Sequence, residues 1–330
     1  MRAIVLHHTG DPDVLQPTEM PEPEAGPGEV LVRTEAIGTH FAETRLRAGT
    51  LAGMTPTLPA VPGFEAAGVV TAVGPDTDPA LLGARVTAMA VRGSGSYAEY
   101  LTVPATDVAR VPDGVSAIDA VAVATPGAVA LALVRTARLT GTEQVLVEAA
   151  AGAVGGHLVQ FAAEYGAGRV IATAGTADKR DHARALGADA TVDHRRPGWP
   201  TRVGELARAD GRRGLDVVFE SIGGASAGEL LDAMAPGGRM LLYGMLSDEP
   251  PAIAAGDLLG RGLTVIGCSG APGDGAWYDA TLAARDEVLD RLADNRIRPL
   301  IDSVLPLADA AEAHRRLEAG GNTGKIILVP

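Results

Sequence analysis

The chain has 330 residues, and its 41 Asp and Glu against 28 Lys and Arg give a formal net charge of -13 at pH 7. A chain of this length usually folds as two domains, and its negative charge repels phosphate backbones and anionic lipids, so we expect no nucleic acid and no membrane partner. Cys268 is the one cysteine, which excludes internal disulfides and metal sites with several thiolates, and we expect a cytoplasmic location.

The first part of the chain, up to about residue 118, consists of short β-type runs between turn-forming residues. The apolar opening from Met1 to Leu6 predicts a first strand, and segments 30–36 and 68–73 have the same texture. Pro- and Gly-rich stretches at 21–28 and 56–63 indicate surface loops, and no long helical pattern interrupts the series. This pattern predicts an antiparallel, barrel-like domain.

From residue 119 the pattern changes to short apolar runs that alternate with helical stretches such as 154–165 and 179–186. None of the uninterrupted apolar runs reaches the roughly 20 residues of a membrane-spanning helix. The alternation is typical of βαβ units, so we predict one doubly wound parallel α/β sheet of the Rossmann type. The six predicted strands are 144–148, 169–173, 190–193, 215–220, 239–243 and 263–267.

The last part of the chain follows Cys268 with a Gly- and Pro-containing loop at 270–275. Two helices, around 277–295 and 308–319, and a final strand at 325–329 are predicted after it. We expect this tail to rejoin the first domain. The predicted domains are therefore residues 1–118 with 269–330, and residues 119–268.

A glycine-containing turn stands directly between the first strand of the predicted sheet and the helix that follows it. The spacing is Ala-x-x-Gly-x-x-Gly from Ala149 through Gly152 to Gly155, with Ala153 and Val154 between the glycines. Glycine lets a diphosphate approach the backbone, and a helix N-terminus presents free N–H groups and a positive dipole end to it. In the context of six alternating units, the turn predicts dinucleotide binding rather than a purely structural turn.

The choice of nucleotide is indicated near the end of the second strand. Proteins that prefer NAD place an acidic residue there for the ribose hydroxyls, but the segment from Val170 through Thr173 to Lys179 and Arg180 is small and hydroxylated, then basic. Because Lys179 can pair with a 2'-phosphate, we predict NADPH. Asp178 departs from this pattern, and the alternative for the two basic residues is a solvated helix face.

At this point the sequence resembles the medium-chain dehydrogenase/reductase superfamily, specifically its zinc-independent quinone oxidoreductase branch, over essentially the whole chain. The resemblance implies a GroES-like catalytic domain built from both chain ends, a central Rossmann domain and a nicotinamide in the cleft between them. The matching segments are MRAIV at 1–5, GEVLVRTEAIG at 28–38, PGFEAAG at 62–68, SYAEY at 96–100, AAAGAVG at 149–155, FESIG at 219–223 and GKIIL at 324–328.

The resemblance also implies which residues contact the coenzyme. His194 falls where relatives often have a tyrosine near the 2'-phosphate, although an exposed loop residue beside Arg195 and Arg196 is an equal alternative. The expected coenzyme-binding residues are Gly152, Ala153, Val154, Gly155, Thr173, Lys179, His194, Ser221, Tyr243, Gly244 and Asn322.

The same comparison argues against zinc. Where the zinc-dependent branch has a cysteine and a histidine ligand, this chain has His40 and Phe64, and phenylalanine cannot bind a metal. We therefore expect no metal and a reaction that hydride transfer alone can drive, with a quinone or an α,β-unsaturated carbonyl as acceptor. Saturated aldehydes and alcohols are poor candidates without a Lewis acid.

Three residues at the expected substrate side depart from the family pattern. His40 stands where relatives commonly have asparagine near the nicotinamide, and it could supply the proton that a reduced acceptor takes up. The simpler alternative is that His40 only hydrogen bonds the coenzyme. Arg45 and Leu51 replace two substrate-side tyrosines of some quinone reductases, which leaves the substrate open.

Two alternative functions remain open at the level of sequence. One is an NADPH-dependent enoyl or alkenal reductase in a biosynthetic pathway, and the other is a non-catalytic NADPH-binding redox sensor or structural protein. The sixth predicted strand, 263–267, should be an aliphatic sheet edge, so we predict a homodimer formed through it.

Overall fold

The computed structural model describes residues 1–51, 54–90, 94–268 and 276–330, which divide into two compact units. Unit 1 contains residues 1–125 and 285–330, and unit 2 contains residues 126–284. Both boundaries between the units fall inside helices. The domain limits predicted from the sequence, after residues 118 and 268, lie earlier in the chain and stay a prediction. The predicted loop at 270–275 lies outside the described residues.

The described residues form strands and α-helices in the following order. The strands are β1 (Arg2–Leu6), β2 (Leu15–Glu19), β3 (Glu29–Gly38), β4 (Glu65–Val73), β5 (Arg85–Met89), β6 (Tyr100–Pro104), β7 (Val108–Arg110), β8 (Gln144–Val147), β9 (Arg169–Thr173), β10 (Ala190–Val192), β11 (Leu215–Glu220), β12 (Met234–Leu242), β13 (Thr264–Gly267), β14 (Ile301–Pro306) and β15 (Lys325–Val329). The helices are α1 (Phe41–Ala48), α2 (Ala117–Ala137), α3 (Ala153–Glu164), α4 (Ala177–Ala185), α5 (Trp199–Arg208), α6 (Gly224–Ala233), α7 (Ala255–Leu259), α8 (Ala276–Ala293) and α9 (Ala310–Glu318).

Unit 1 is built on a largely antiparallel sheet with the strand order β14-β15-β3-β4-β5-β7, and β6 pairs with β3 as well. The C-terminal strand β15 pairs antiparallel with β3, with Leu328 opposite Ile37, so the end of the chain belongs to this sheet. Aliphatic side chains from distant parts of the chain, among them Val32, Leu101 and Ile326, form one buried core. This core fixes β3, β4 and β15, whose ends carry the polar residues described below.

Unit 2 is built on a six-stranded parallel sheet with the order β10-β9-β8-β11-β12-β13. The chain runs outward from β8 to β10, then returns to β11 on the other side of β8, which is the doubly wound arrangement. The inner strands β8, β9 and β11 consist largely of buried Val, Leu, Ile and Phe, as expected where helices cover both faces of a sheet. The predicted α/β fold with a parallel Rossmann sheet is confirmed.

Two helices of the first 137 residues have no counterpart in the sequence-based prediction. α1 begins after His40, whose backbone N–H donates to the Glu43 carboxylate at 2.8 Å, and it ends at Gly49 with a φ of 78°. α2 contains Pro126 in its middle and has the length and the apolar composition of a membrane span. However, 72% of its most apolar window is buried in the fold, as is usual for a core helix.

Candidate functional site

The glycine turn after β8 has the geometry of an anion site. Ala149 adopts a φ of 47°, and its carbonyl accepts the N–H of Gly152 at 2.8 Å. A Cβ at Gly155 would stand 2.4 Å from the Ala149 oxygen, so only glycine fits there. Thr173 at the end of β9 accepts the N–H groups of Ala149 and Ala150 through its hydroxyl and its carbonyl, at 3.3 and 2.9 Å. The N-terminus of α3, with its free N–H groups, is thereby fixed at the sheet edge.

His194 lies beside Thr173, beyond the end of β9. Its Nδ1 is 3.3 Å from the Thr173 hydroxyl, and its Nε2 would lie 3.2 Å from a Cβ on Gly175. Burial lowers the pKa of His194, and although the charge of Asp193 opposes this, the nearby cations Arg195, Lys179 and Arg180 lower the pKa further. The imidazole is therefore neutral at pH 7 and can donate one hydrogen bond.

Basic side chains surround this histidine. Lys179 is half-buried in the first turn of α4, where its backbone N–H donates to the capping hydroxyl of Thr176 at 3.2 Å. Asp193 pairs with Arg180 at 3.1 Å and with Arg195 at 3.4 Å. The cluster therefore contains more cations than anions, which suits a phosphate monoester.

The predicted residues Ser221, Tyr243 and Gly244 meet at the ends of β11 and β12. The Tyr243 N–H donates to the Glu220 carbonyl at 3.0 Å, and a Cβ on Gly244 would stand 3.2 Å from the Ser221 Cβ. The Ser221 N–H donates to the Glu148 carboxylate at 2.9 Å. Ser221 and Glu148 lie where the strand order reverses between β8 and β11, which is the usual ligand-binding edge of such a sheet, and Tyr243 and Gly244 follow the adjacent strand β12.

A second polar cluster lies in unit 1, around His40. Its Nε2 is 3.0 Å from Glu65 and 3.1 Å from the Lys325 ammonium, and Lys325 also forms an ion pair with Glu65. The side chains of Glu65 and Lys325 are 3% and 1% exposed, against 20% for His40. Burial alone would raise the pKa of Glu65, but Lys325 and His40 lower it to about 2. Gly38 allows this close packing, because a Cβ there would stand 2.2 Å from the Glu65 carboxylate.

A buried hydrogen-bond chain stands behind His40. One carboxylate oxygen of Glu43 accepts the backbone N–H of His40 at 2.8 Å and the Tyr97 hydroxyl at 2.6 Å. The other oxygen accepts the backbone N–H of Phe64 at 2.7 Å. The Tyr97 oxygen is 3.0 Å from Nε2 of His314. Burial raises the pKa of Glu43 and, with the charge of Arg47, lowers that of His314 to about 3. The position of His40 is therefore fixed by side chains from α1, β4, β15 and the segment before β6.

The remaining predicted site residues lie in unit 1. The Arg45 guanidinium stacks 4.8 Å from the centroid of the Phe41 ring, and the Arg45 carbonyl accepts the Leu51 N–H at 3.2 Å. Asn322 precedes β15 and donates to the Gly324 carbonyl at 2.7 Å. The structure thus groups His40 with Glu65 and Lys325 in unit 1. It groups the predicted coenzyme-binding residues of the glycine turn, Thr173 and His194 around the start of α3 and the end of β9 in unit 2.

The donor atoms around His40 do not fit a zinc ion. His40 and Glu65 are the two side chains of this cluster that could bind zinc, but the Lys325 ammonium already contacts both of them. The neighbouring Phe64 offers no donor atom. Among residues 1–51, 54–90, 94–268 and 276–330, three or more His, Cys, Asp or Glu side chains are nowhere grouped to hold a metal.

Comparison with known proteins decides the family. The family model for the alcohol dehydrogenase GroES-like domain matches residues 26–113, and the model for the zinc-binding dehydrogenase matches residues 153–284. A quinone oxidoreductase of Pseudomonas aeruginosa is 34% identical over 97% of this chain and 97% of its own length. The chain belongs to the quinone oxidoreductase branch of the medium-chain dehydrogenase/reductase superfamily. The resemblance found in the sequence is confirmed.

Two further comparisons agree with this. The quinone oxidoreductase of Thermus thermophilus, solved alone and in complex with NADPH, superposes with a TM-score of 0.84 at 34% identity, with 100% of each chain covered. A 2-haloacrylate reductase of Burkholderia is 32% identical over 99% of this chain and 98% of its own length. The predicted GroES-like domain and the prediction of an oxidoreductase related to these enzymes are confirmed.

Four buried charged residues of the two sites, two in unit 1 and two in unit 2, were not predicted from the sequence. Glu65 and Lys325 lie 260 positions apart in the chain, so no local pattern connects them. Glu148 and Glu220 each follow a run of apolar strand residues, and an acid at the end of an otherwise apolar strand was the available signal.

Proposed function

We propose that the protein is an NADPH-dependent, metal-free oxidoreductase that reduces quinones or activated alkenes by direct hydride transfer. The carrying observation is the edge of the unit 2 sheet, where a turn that only glycine fits stands beside a cluster of basic side chains. The named relatives, quinone oxidoreductases and a 2-haloacrylate reductase, support this choice of acceptors.

The residues present fit a dinucleotide with a 2'-phosphate. The first N–H groups of α3, at Ala153 and Val154, would bind the diphosphate, because Gly155 keeps the backbone open. Lys179 and the neutral His194 would bind the 2'-phosphate with charge-assisted hydrogen bonds. When bound, NADPH supplies a hydride, and the acceptor must take up one proton besides that hydride.

His40 is our proposed source of this proton for acceptors that are protonated at carbon. It is the most exposed residue of its cluster with Glu65 and Lys325, and both of these contact its Nε2. Conjugation spreads the charge that develops in a quinone or an enone, so the reaction needs no Lewis acid. The charge of Glu65 is compensated by the Lys325 ammonium, which supports the proposal of a metal-free reaction.

Rates of NADPH oxidation with a quinone panel and an enone panel test the function. We expect turnover with at least one panel, and we expect His40→Ala to slow enone reduction by about 10²-fold while quinone turnover changes little, because hydroquinone oxygens can take protons from water. His8→Ala, which changes an exposed histidine of the same unit, is the matched control. If neither rate changes in His40→Ala, the proton role is wrong.

The same panels distinguish the alternatives. Turnover confined to enones favours the alkenal reductase, and tight NADPH binding without oxidation by either panel favours the non-catalytic protein.

The coenzyme preference gives a separate prediction. Lys179→Ala should weaken NADPH binding about tenfold and leave NADH binding unchanged, because only NADPH carries the 2'-phosphate that the ammonium binds. Titration calorimetry with both coenzymes measures this. Arg184→Ala, in the last turn of the same helix and 50% exposed, is the control. Equal losses for both coenzymes would show a structural role, and no loss would show that Lys179 is a solvated surface residue.

We also propose a homodimer formed through β13 and a cytoplasmic location. β13 is the last strand of the sheet, with Thr264 and Gly267 exposed, and Leu259 of the preceding helix is 85% exposed. Burial raises the pKa of Cys268 to about 11, which suits an unreactive thiol in a reducing compartment. Sedimentation that yields only a 33.6 kDa particle at micromolar concentration would contradict the dimer.

A further inference from the structure

Two glutamates are buried side by side where the strand order of the unit 2 sheet reverses. Glu148 directly follows β8 and Glu220 ends β11, and both are 0% exposed. One oxygen of each carboxyl is satisfied: Oε2 of Glu148 by the N–H of Ser221, and Oε1 of Glu220 by the N–H groups of Ile222 and Gly223.

The other two oxygens, Oε1 of Glu148 and Oε2 of Glu220, have no hydrogen-bond donor among the described residues. The two carboxyl groups bind consecutive N–H groups of one loop, Ser221 for Glu148 and then Ile222 with Gly223 for Glu220, so they lie close together. Two ionised carboxylates cannot form a hydrogen bond with each other because both only accept. A single proton between them satisfies both oxygens at once. Burial and the neighbouring carboxylate raise the pKa of Glu148, and burial raises that of Glu220, in agreement with a retained proton.

We infer that Glu148 and Glu220 share one proton in the native protein, and that this proton joins the two backbone segments that form the coenzyme edge. Glu148 leads into the glycine turn that begins at Ala149, and its carboxyl binds the N–H of Ser221. Glu220 binds the N–H groups of the next two residues of the same loop. The acid pair is thus a positioning device for both sides of the edge.

The shared proton has a consequence for coenzyme binding, and this part rests on the proposed function. With one proton the pair carries one negative charge, and without it the pair carries two, on the same edge as an anionic diphosphate. Coenzyme affinity should therefore fall as the pH rises through the titration of the pair, and binding in that range should take up a proton. Tyr243 is a titratable group that faces the pair, and it stays neutral in this range because burial raises the pKa of its phenol far above the usual range.

The stability of the protein without coenzyme should also change with pH. The native pair keeps a proton that the unfolded chain releases above about pH 4.5, so stability falls as the pH rises from there toward the raised pKa. Glu148→Gln imitates the protonated pair, because its amide oxygen can accept from Ser221 and its NH₂ can donate to Glu220. The variant should lack this part of the pH dependence.

The test compares wild type and Glu148→Gln by thermal unfolding without coenzyme, at about pH 5 and about pH 9. We expect nearly equal midpoints at the lower pH and a midpoint higher by about 3 °C or more for the variant at the higher pH. Glu143→Gln is the matched control, since Glu143 is also buried in this unit but accepts the N–H groups of Thr140, Gly141 and Thr142. Although burial opposes it, hydrogen bonds from Thr140, from Thr142 and from its own N–H lower the pKa of Glu143 to about 2, so its variant should be less stable at neutral pH.

Calorimetry at several pH values from about 7 to about 9, in buffers of different ionisation enthalpy, measures the proton taken up with NADPH and with NADH. We expect uptake with both coenzymes in the wild type and none in Glu148→Gln, because the 2'-phosphate is fully ionised there. If wild type and Glu148→Gln have the same pH profile of unfolding, the shared proton is wrong. If the profiles differ but neither coenzyme binds, the proposed function fails while the acid pair stands, and if binding takes up no proton, its coupling to the coenzyme is wrong.

Discussion

Lys325→Met is expected to lower the free energy of unfolding by about 3–5 kcal/mol, because it leaves the buried carboxylate of Glu65 without its cation. Both side chains are almost fully buried, so the carboxylate that is left behind is poorly solvated. After the substitution, His40 is the one partner that the Glu65 carboxylate keeps among the described residues. Chemical denaturation at pH 7 measures the loss.

The stability lost in Lys325→Met should depend on pH. In the wild type, the pKa of Glu65 is lowered to about 2, so its contribution is present above the unfolded value of about 4.5 and disappears as the pH falls toward 2. In Lys325→Met the carboxyl should prefer its proton, so the difference between the two proteins should shrink as the pH is lowered. A difference that stays constant between about pH 4 and 7 would contradict the ion-pair explanation.

Two further variants separate charge from packing. Arg33→Met breaks the exposed pair with Glu35, whose members are 46% and 33% exposed, and should cost less than about 1 kcal/mol. Adding Glu65→Gln to Lys325→Met removes the unpaired charge and should restore part of the lost stability. If the double variant is no more stable than Lys325→Met, the lysine acts through its packing alone.

The unit 2 site could be predicted from the sequence because its signals are local. A glycine turn between a strand and a helix is contained in about ten residues, and buried parallel strands are continuous apolar runs. β9 and β11 have the predicted bounds, and the turn from Ala149 to Gly155 lies at the predicted sheet edge. What stayed hidden is the acid pair, since a carboxylate at the end of a strand is usually solvated.

The unit 1 cluster could not be predicted because tertiary contacts create it. Histidine is not a usual N-cap residue, so α1 had no start signal at His40, and Pro126 with Gly127 conceals the helical pattern of α2. The resemblance did place His40 at a functional position. It gave no indication that Glu65 and Lys325 stand behind it, because that arrangement depends on β15 pairing with β3 next to β4.

Gly155→Ala is expected to weaken NADPH binding about 100-fold or more and to destabilise unit 2 by about 1–3 kcal/mol. The added methyl group would stand 2.4 Å from the Ala149 oxygen and 2.9 Å from the Ala150 Cα, and backbone atoms in a turn cannot yield as a flexible side chain can. The start of α3 must therefore move away from the position in which its N–H groups face the diphosphate. Fluorescence titration with NADPH and thermal unfolding measure the two effects.

Two other glycines make this result specific to the turn. Gly152→Ala meets the same oxygen at 3.2 Å and should show a smaller loss, whereas Gly256→Ala in α7 meets nothing within 4 Å and should leave binding unchanged. Because alanine favours a helix over glycine, Gly256→Ala should even stabilise the protein slightly, by about 0.5–1 kcal/mol. Wild-type NADPH affinity in a folded Gly155→Ala protein would show that the coenzyme does not bind at this helix N-terminus, and the proposed function would lose the observation that carries it.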